Sequence, residues 1–387
     1  MFFVQKSRKI NLVFFLLIFN SIWSIFYVKD AWAGYNAEVQ IGWQYQLSKV
    51  IYAIVILIMF PVVYSHKRFF GNARILASII ILYVLFSYAF NVTYDFSNVS
   101  KFFLLSLSFP FFANTLECNF NKSLLKVLII SITLNITNSI LQANTLATSI
   151  QNDSYGTGQG TAANIIYLLP IIFYTFRGKI SSFFYLFGFV LIVISLRRTA
   201  ILAYLLCTPF IFERIKHSVS KKNMLFVITI LVLLLLYFIN NYRDVLELRF
   251  LDMFEADEQG NYGSGRSDWF ALLFRSYTEK PAYWLWGFGP QKVGWVLHGA
   301  GYPFNVAHSD VLELLLGYGI VGTFLWYYTF YKMYKIGSSH RVQSEDRMLI
   351  YMSILSYVFM STISGALFNP NFIVIPIFYG LILNKKV

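Results

Sequence analysis

The feature that most constrains this chain is the recurrence, along most of its 387 residues, of apolar stretches near the length a helix needs to cross a bilayer. A hydrocarbon core of roughly 30 Å is crossed by about 20 helical residues, and inside it each backbone polar group must be bonded within the protein. Reading the apolar runs between polar punctuation predicts spans near 10–28, 46–65, 75–92, 101–117, 124–141, 162–176, 180–196, 199–212, 224–240, 308–330, 349–367 and 372–383. Composition agrees, with 57% hydrophobic residues, 13% charged residues, 40 Phe and 27 Tyr. One water-soluble core cannot absorb that much apolar surface, which excludes a soluble enzyme, a secreted disulfide module and a transcription factor. The expected fold is an all-α polytopic membrane protein of about 12 transmembrane helices. The runs 199–212 and 372–383 are short for a bilayer and are expected to tilt, extend at their ends or be partly re-entrant.

Lys6, Arg8 and Lys9 precede the first run, and Ala31-Trp32-Ala33 imitates a cleavage site. The run from Ile10 to Val28 exceeds the roughly 7–15 apolar residues of a secretory signal, so an uncleaved first span is expected. Cys118 and Cys207 stand far apart, in no CxxC or Cys/His spacing, and give neither a disulfide framework nor a zinc site. The formal charge of +13 has a topological reading: with the N-terminus inside, 20 of the 31 Lys and Arg residues fall in cytoplasmic segments. A nucleic-acid partner is therefore unnecessary.

This orientation divides the chain into spans over 1–240, one large extracytoplasmic loop or lobe over 241–307, and the last three spans over 308–387. The lobe segment is far longer than the other loops, and unstructured loops of that size are uncommon unless they work. Arg197 and Arg198 sit where the seventh span reaches the outer face, with only Thr199 before the next apolar run. Charges pressed against lipid on the side where cations are disfavoured are functional candidates.

Within the long segment the chain reads Leu248-Arg249-Phe250, then Ser264-Gly265-Arg266-Ser267-Asp268-Trp269, then Trp286-Gly287-Phe288-Gly289-Pro290, and it ends at His308-Ser309-Asp310. This order, preceded by Leu196-Arg197-Arg198-Thr199, resembles the O-antigen ligase/polymerase superfamily over roughly 196–325. The resemblance implies a GT-C-like helical glycosyltransferase using an undecaprenyl-pyrophosphate-linked oligosaccharide at the outer face of the bacterial cytoplasmic membrane. It implies catalytic roles for Arg198, Arg266 and His308, and substrate contacts for Arg197, Arg249, Trp269, Gly287 and Gly289. Arg197 stands where the pattern has Ser, which leaves open which guanidinium is the equivalent one.

The chemistry suits these residue types. Arginine forks pair phosphate oxygens with permanently charged, bidentate donors. A neutral imidazole at His308 can take a proton from the acceptor hydroxyl, or can only hydrogen-bond the pyrophosphate or sugar. His298 is the weaker candidate. No cofactor is expected, and no metal, because arginines can neutralise the leaving pyrophosphate; Glu255, Asp257 and Glu258 read as a solvated acidic run. Asp310-Val311-Leu312-Glu313 has capping-box spacing and reads as a helix start. Gly317-Tyr318-Gly319-Ile320-Val321-Gly322 matches GxGxxG but lies in an apolar helix, where close helix packing is the expected role. Trp284, Trp286 and Trp295 read as interfacial anchors or as stacking surfaces for sugars.

The leading functional expectation is a surface-polysaccharide polymerase, for O-antigen, capsule or exopolysaccharide, with membrane lipids and a chain-length regulator as further partners. The alternatives are an O-antigen ligase acting on lipid A-core and, from another class, a lipid-linked sugar flippase. Transporters carry repeat-related halves and mid-membrane polar groups, whereas the unusual charges here collect at one face.

Overall fold

The computed structural model describes residues 2–32, 43–65, 71–89, 96–116, 122–149, 158–176, 178–194, 198–216, 225–226, 228–230, 232–233, 236–237, 240, 266–289, 292–302, 307, 309–339, 342–363 and 370–384. Among these residues there are helices, turns and short connections and no strand. The helices are α1 (Phe2–Trp32), α2 (Trp43–Ser65), α3 (Gly71–Ala89), α4 (Phe96–Thr115), α5 (Lys122–Ser149), α6 (Gly158–Thr175), α7 (Lys179–Ile194), α8 (Arg198–Lys216), α9 (Arg266–Thr278), α10 (Lys292–Gly299), α11 (Asp310–Gly337), α12 (Ser344–Ile363) and α13 (Val374–Asn384). By length and composition four of them, α1, α2, α5 and α11, can cross a membrane, and α3, α6, α7, α8 and α13 carry shorter apolar stretches. This is the make-up of a helical membrane protein.

The interior is built on α4, α6 and α13. Leu104, Leu105, Leu107, Phe109, Phe111 and Phe112 of α4, Ile165 to Phe173 of α6, and Val374, Ile375, Ile377, Phe378 and Tyr379 of α13 are buried. Helices apolar on every side belong in such a centre. The other spans show one buried and one lipid-like face: α2, for example, buries Val55, Met59 and Val62 and exposes Val50, Ile54 and Leu57. The 11 residues of α13 extend about 16 Å at 1.5 Å per residue. That is short for a bilayer, and α13 is instead enclosed by α4 and α6. Gly380 lets it approach α4, since a Cβ there would lie 2.6 Å from the Phe112 carbonyl oxygen.

Polar side chains join helices that have little hydrophobic reason to associate in lipid. Asn20 donates to Tyr52 at 2.8 Å and accepts from Ser48 at 2.7 Å, linking α1 to α2. Asn135 donates to the Ser21 carbonyl and to Ser24, and Asn138 to the Ile25 carbonyl, linking α5 to α1. Asn72 donates to the Leu325 carbonyl and to Thr329, linking α3 to α11.

Candidate functional site

α9, α10 and the first turns of α11 share a small apolar core of their own. On α9 the residues Trp269, Leu273 and Tyr277 recur every four positions and form its buried face; they meet Val293 and Leu297 of α10, Ala307, and Leu316 of α11. The Trp269 ring stands edge-on to Tyr302 at 5.9 Å between centroids. The end of α9 is tied to the next turn by a reciprocal pair: Tyr277 donates its hydroxyl to the Trp284 carbonyl at 2.7 Å, and the Trp284 indole donates to the Tyr277 carbonyl at 3.0 Å.

The chain then enters the break in α11. Gly319 has φ 65° and ψ −168°, outside helical geometry, so α11 is two helical pieces meeting at that residue. The loop from Trp284 to Gly289 supplies the hydrogen bonds the break removes. The Phe288 and Gly289 N–H groups donate to the Leu316 and Gly317 carbonyls at 2.7 and 3.0 Å, and the Ile320 and Val321 N–H groups donate to the Trp284 and Leu285 carbonyls at 2.8 and 3.1 Å. Non-helical backbone in a membrane helix is tolerated where other protein backbone satisfies it in this way. The glycines of the GxGxxG run therefore act differently from the helix packing expected of them. Gly319 breaks the helix, and the partner at the break is a loop. Only Gly322, whose added Cβ would lie 3.8 Å from Leu76 of α3, also faces a neighbouring helix.

At the head of α11 two carboxylates are buried, Asp310 and Glu313. The cap residue is Ser309, one position before the expected Asp310, and its side chain makes no capping bond. Glu313 Oε1 accepts the Ala307 N–H at 2.6 Å, while the Glu313 N–H donates to the Ser309 carbonyl at 3.0 Å. One glutamate thus holds the residues on both sides of position 308. Asp310 Oδ2 accepts the Tyr357 hydroxyl of α12 at 3.3 Å, and the Trp326 indole donates to the Tyr357 hydroxyl oxygen at 2.5 Å. Tyr357 is stacked on Phe330 at 4.1 Å and tilted against Phe372 at 4.8 Å. The first turn of a helix is favourable for negative charge because unbonded N–H groups point there. Sequence reasoning assigned both acids to capping; their burial, and the Tyr357 partner from another helix, have no local signal.

His308, Arg197 and Arg249 lie outside the described residues, as do Glu255, Asp257 and Glu258. Arg198 opens α8 and Arg266 opens α9. The structure brings the surroundings of Arg266 and His308 together: Trp269, within one turn of Arg266, and Ala307, next to His308, are buried in the same small core. α8 packs on α12, and α12 on α11. Trp269 faces the small core shared by α9, α10 and α11, Gly287 donates its N–H to the Tyr283 carbonyl at 2.7 Å, and Gly289 donates to the Gly317 carbonyl at 3.0 Å, so all three have structural work at these positions. His298 is exposed in the last turn of α10. Among the described residues no three His, Cys, Asp or Glu side chains gather as a metal cluster. No protein-family model and no curated protein matches the chain.

Proposed function

We propose that this chain is a metal-independent glycosyltransferase of the bacterial cytoplasmic membrane that polymerises a surface polysaccharide. The 12 spans lie in 1–240 and 308–387, both termini are cytoplasmic, and 241–307 is the outer lobe. The donor is a glycan chain on undecaprenyl pyrophosphate and the acceptor is the non-reducing end of another lipid-linked repeat. The acceptor hydroxyl oxygen bonds to the anomeric carbon as the bond from that carbon to the phosphate oxygen breaks, and the electron pair leaves with undecaprenyl pyrophosphate. The hydroxyl proton goes to His308, or to solvent where His308 serves only as a hydrogen-bond partner. Arg198 and Arg266, with Arg197 and Arg249, face the charge gathering on the pyrophosphate.

The observation that carries this reading is the core common to α9, α10 and the head of α11, which holds Trp269 near Arg266 and Ala307 beside His308. Two chain segments about forty residues apart are thereby kept at one place, as a phosphate-binding arginine and a base acting on the same substrate require.

The test is reconstitution of purified protein with a lipid-linked repeat in chelator. A ladder of polymer lengths supports the proposal. Transfer of single repeats to lipid A-core with no ladder turns it to a ligase, translocation with no new glycosidic bond turns it to a transporter, and turnover restored only by a divalent cation removes the metal-independent mechanism.

A further inference from the structure

One edge of the lobe is unlike its buried face. Tyr283, Trp284, Leu285 and Trp286 are four consecutive exposed residues, and Trp295 of α10 is 68% exposed. Trp286 is simultaneously held to the spanning helices, because the Tyr83 hydroxyl of α3 donates to its carbonyl. The neighbouring residues of those helices are exposed and apolar too: Leu82 and Leu85 flank Tyr83, and Ile320 and Phe324 follow the break in α11. The apolar exposure of the membrane helices therefore continues onto the lobe edge.

The level of this edge follows from helix geometry. From Ile320 to Gly337 α11 has no further break, and 18 residues at 1.5 Å extend about 27 Å, close to the hydrocarbon thickness. The Trp284 and Leu285 carbonyls are bonded to Ile320 and Val321, which puts this edge at one boundary of that layer, where tryptophan is favoured.

Two cations stand on the same edge. The Lys292 ammonium lies 3.2 Å from the centroid of the Trp295 ring, and the Lys280 ammonium 5.9 Å from that of Phe288, which is stacked on Tyr283. Among the described residues neither lysine is paired with a carboxylate, whereas Arg275 is, with Glu279 at 2.6 Å. Burial, and the nearby charge of Lys280, hold the Lys292 ammonium below the usual lysine range. Two like charges kept together beside aromatic faces at a membrane boundary are complementary to a layer of phosphate anions.

We infer that Trp284, Leu285, Trp286, Trp295, Lys280 and Lys292 form a docking surface for anionic phospholipid headgroups, seated in the interfacial layer of the bilayer that the helices cross. The surface anchors the lobe edge next to the break in α11. It does not depend on the chemistry the protein performs.

The experiment uses the full chain with Cys118→Ser and Cys207→Ala, a bimane on Leu285→Cys, and reconstitution into phosphatidylcholine vesicles with about 30 mol% phosphatidylglycerol. Doxyl-labelled lipids of each headgroup, at equal mole fraction, serve as quenchers. The expected result is quenching by the phosphatidylglycerol probe at least about threefold stronger than by the phosphatidylcholine probe, falling to parity in Lys280→Gln/Lys292→Gln. Inorganic phosphate in the buffer leaves the preference in place; its loss under phosphate would overturn the headgroup assignment in favour of a free-anion site. Equal quenching by both lipids in the wild-type background, or strong quenching by aqueous iodide with none by either lipid, overturns the inference. Trp286→Cys is a second reporter, read in the same way, if Leu285→Cys fails to fold.

Discussion

Gly287, in the loop after α9, and Gly319 of α11 meet backbone to backbone: a Cβ on Gly287 would lie 2.5 Å from the Tyr318 nitrogen, and one on Gly319 would lie 2.6 Å from the Gly287 nitrogen. Both have positive φ, 74° and 65°. The join between this loop and α11 thus depends on two missing side chains. The hydrogen bonds on either side of it can form only at this separation.

Gly287→Ala and Gly319→Ala should each weaken the join. The left-handed backbone alone costs a side chain about 1–2 kcal/mol, and contact with neighbouring backbone cannot be relieved by a rotamer. A loss of at least about 2 kcal/mol is expected in unfolding of the detergent-solubilised protein. Gly299→Ala is the control: nothing lies within 4 Å of its added Cβ, and a change below about 0.5 kcal/mol is expected. Equal stability of all three variants would mean that loop and helix are not joined as described.

Glu313 should act through acceptance of a hydrogen bond. Glu313→Gln keeps a carbonyl oxygen for the Ala307 N–H, while Glu313→Ala leaves that buried donor unpaired at a cost of about 1–3 kcal/mol. If Glu313 positions the segment around His308, turnover should fall more than about tenfold in Glu313→Ala with KM little changed, and stay near wild type in Glu313→Gln. Loss of activity in Glu313→Gln would assign the carboxylate a role beyond this bond.

The helical, membrane character of the chain was legible because apolar length is written locally, residue by residue, and each helix satisfies its own backbone. Relations between distant segments were not. Nothing near Gly319 announces that residues 284–289 complete its hydrogen bonds, and an apolar GxGxxG run reads as helix packing until the φ angle is known. The run at 372–383 is short for a bilayer, but α13 is packed against α4 and α6, a contact that its local sequence does not announce. Asp310 and Glu313 carry capping-box spacing, yet the Glu313 side chain reaches back to Ala307, and Asp310 is met by Tyr357 from α12. Spacing reports the element on which a residue lies and is silent on what another helix brings to it. The order of Arg198, Arg266 and His308 is readable as a pattern; whether three such residues share one site is a tertiary property that order alone does not contain.

The proposed orientation can be checked with two cysteines in the background lacking Cys118 and Cys207. Asp257→Cys, in the outer lobe of the proposal, should react with a membrane-impermeant thiol reagent in intact spheroplasts. Ser338→Cys, just past the end of α11, should react only after permeabilisation. Labelling of both from one side would sink the scheme.

Arg198, Arg266 and His308 should fail in different ways if they serve one transfer. A lysine keeps the charge of an arginine but loses its planar, two-pronged donor geometry, so Arg198→Lys and Arg266→Lys should lose most polymer at normal membrane abundance. The helix starts they occupy make each variant a local test, since a lysine is a good helix former and leaves α8 and α9 intact. His308→Ala should bind donor and stall, with single lipid-linked repeats remaining unpolymerised; if the imidazole is the base, the loss lies in kcat. His308→Gln separates the two roles left open for this side chain, because an amide can hydrogen-bond a sugar or phosphate and cannot accept the hydroxyl proton. Activity in Gln but not Ala assigns hydrogen bonding, loss in both assigns proton transfer, and full-length polymer from Arg266→Lys and His308→Ala alike removes both residues from the chemistry.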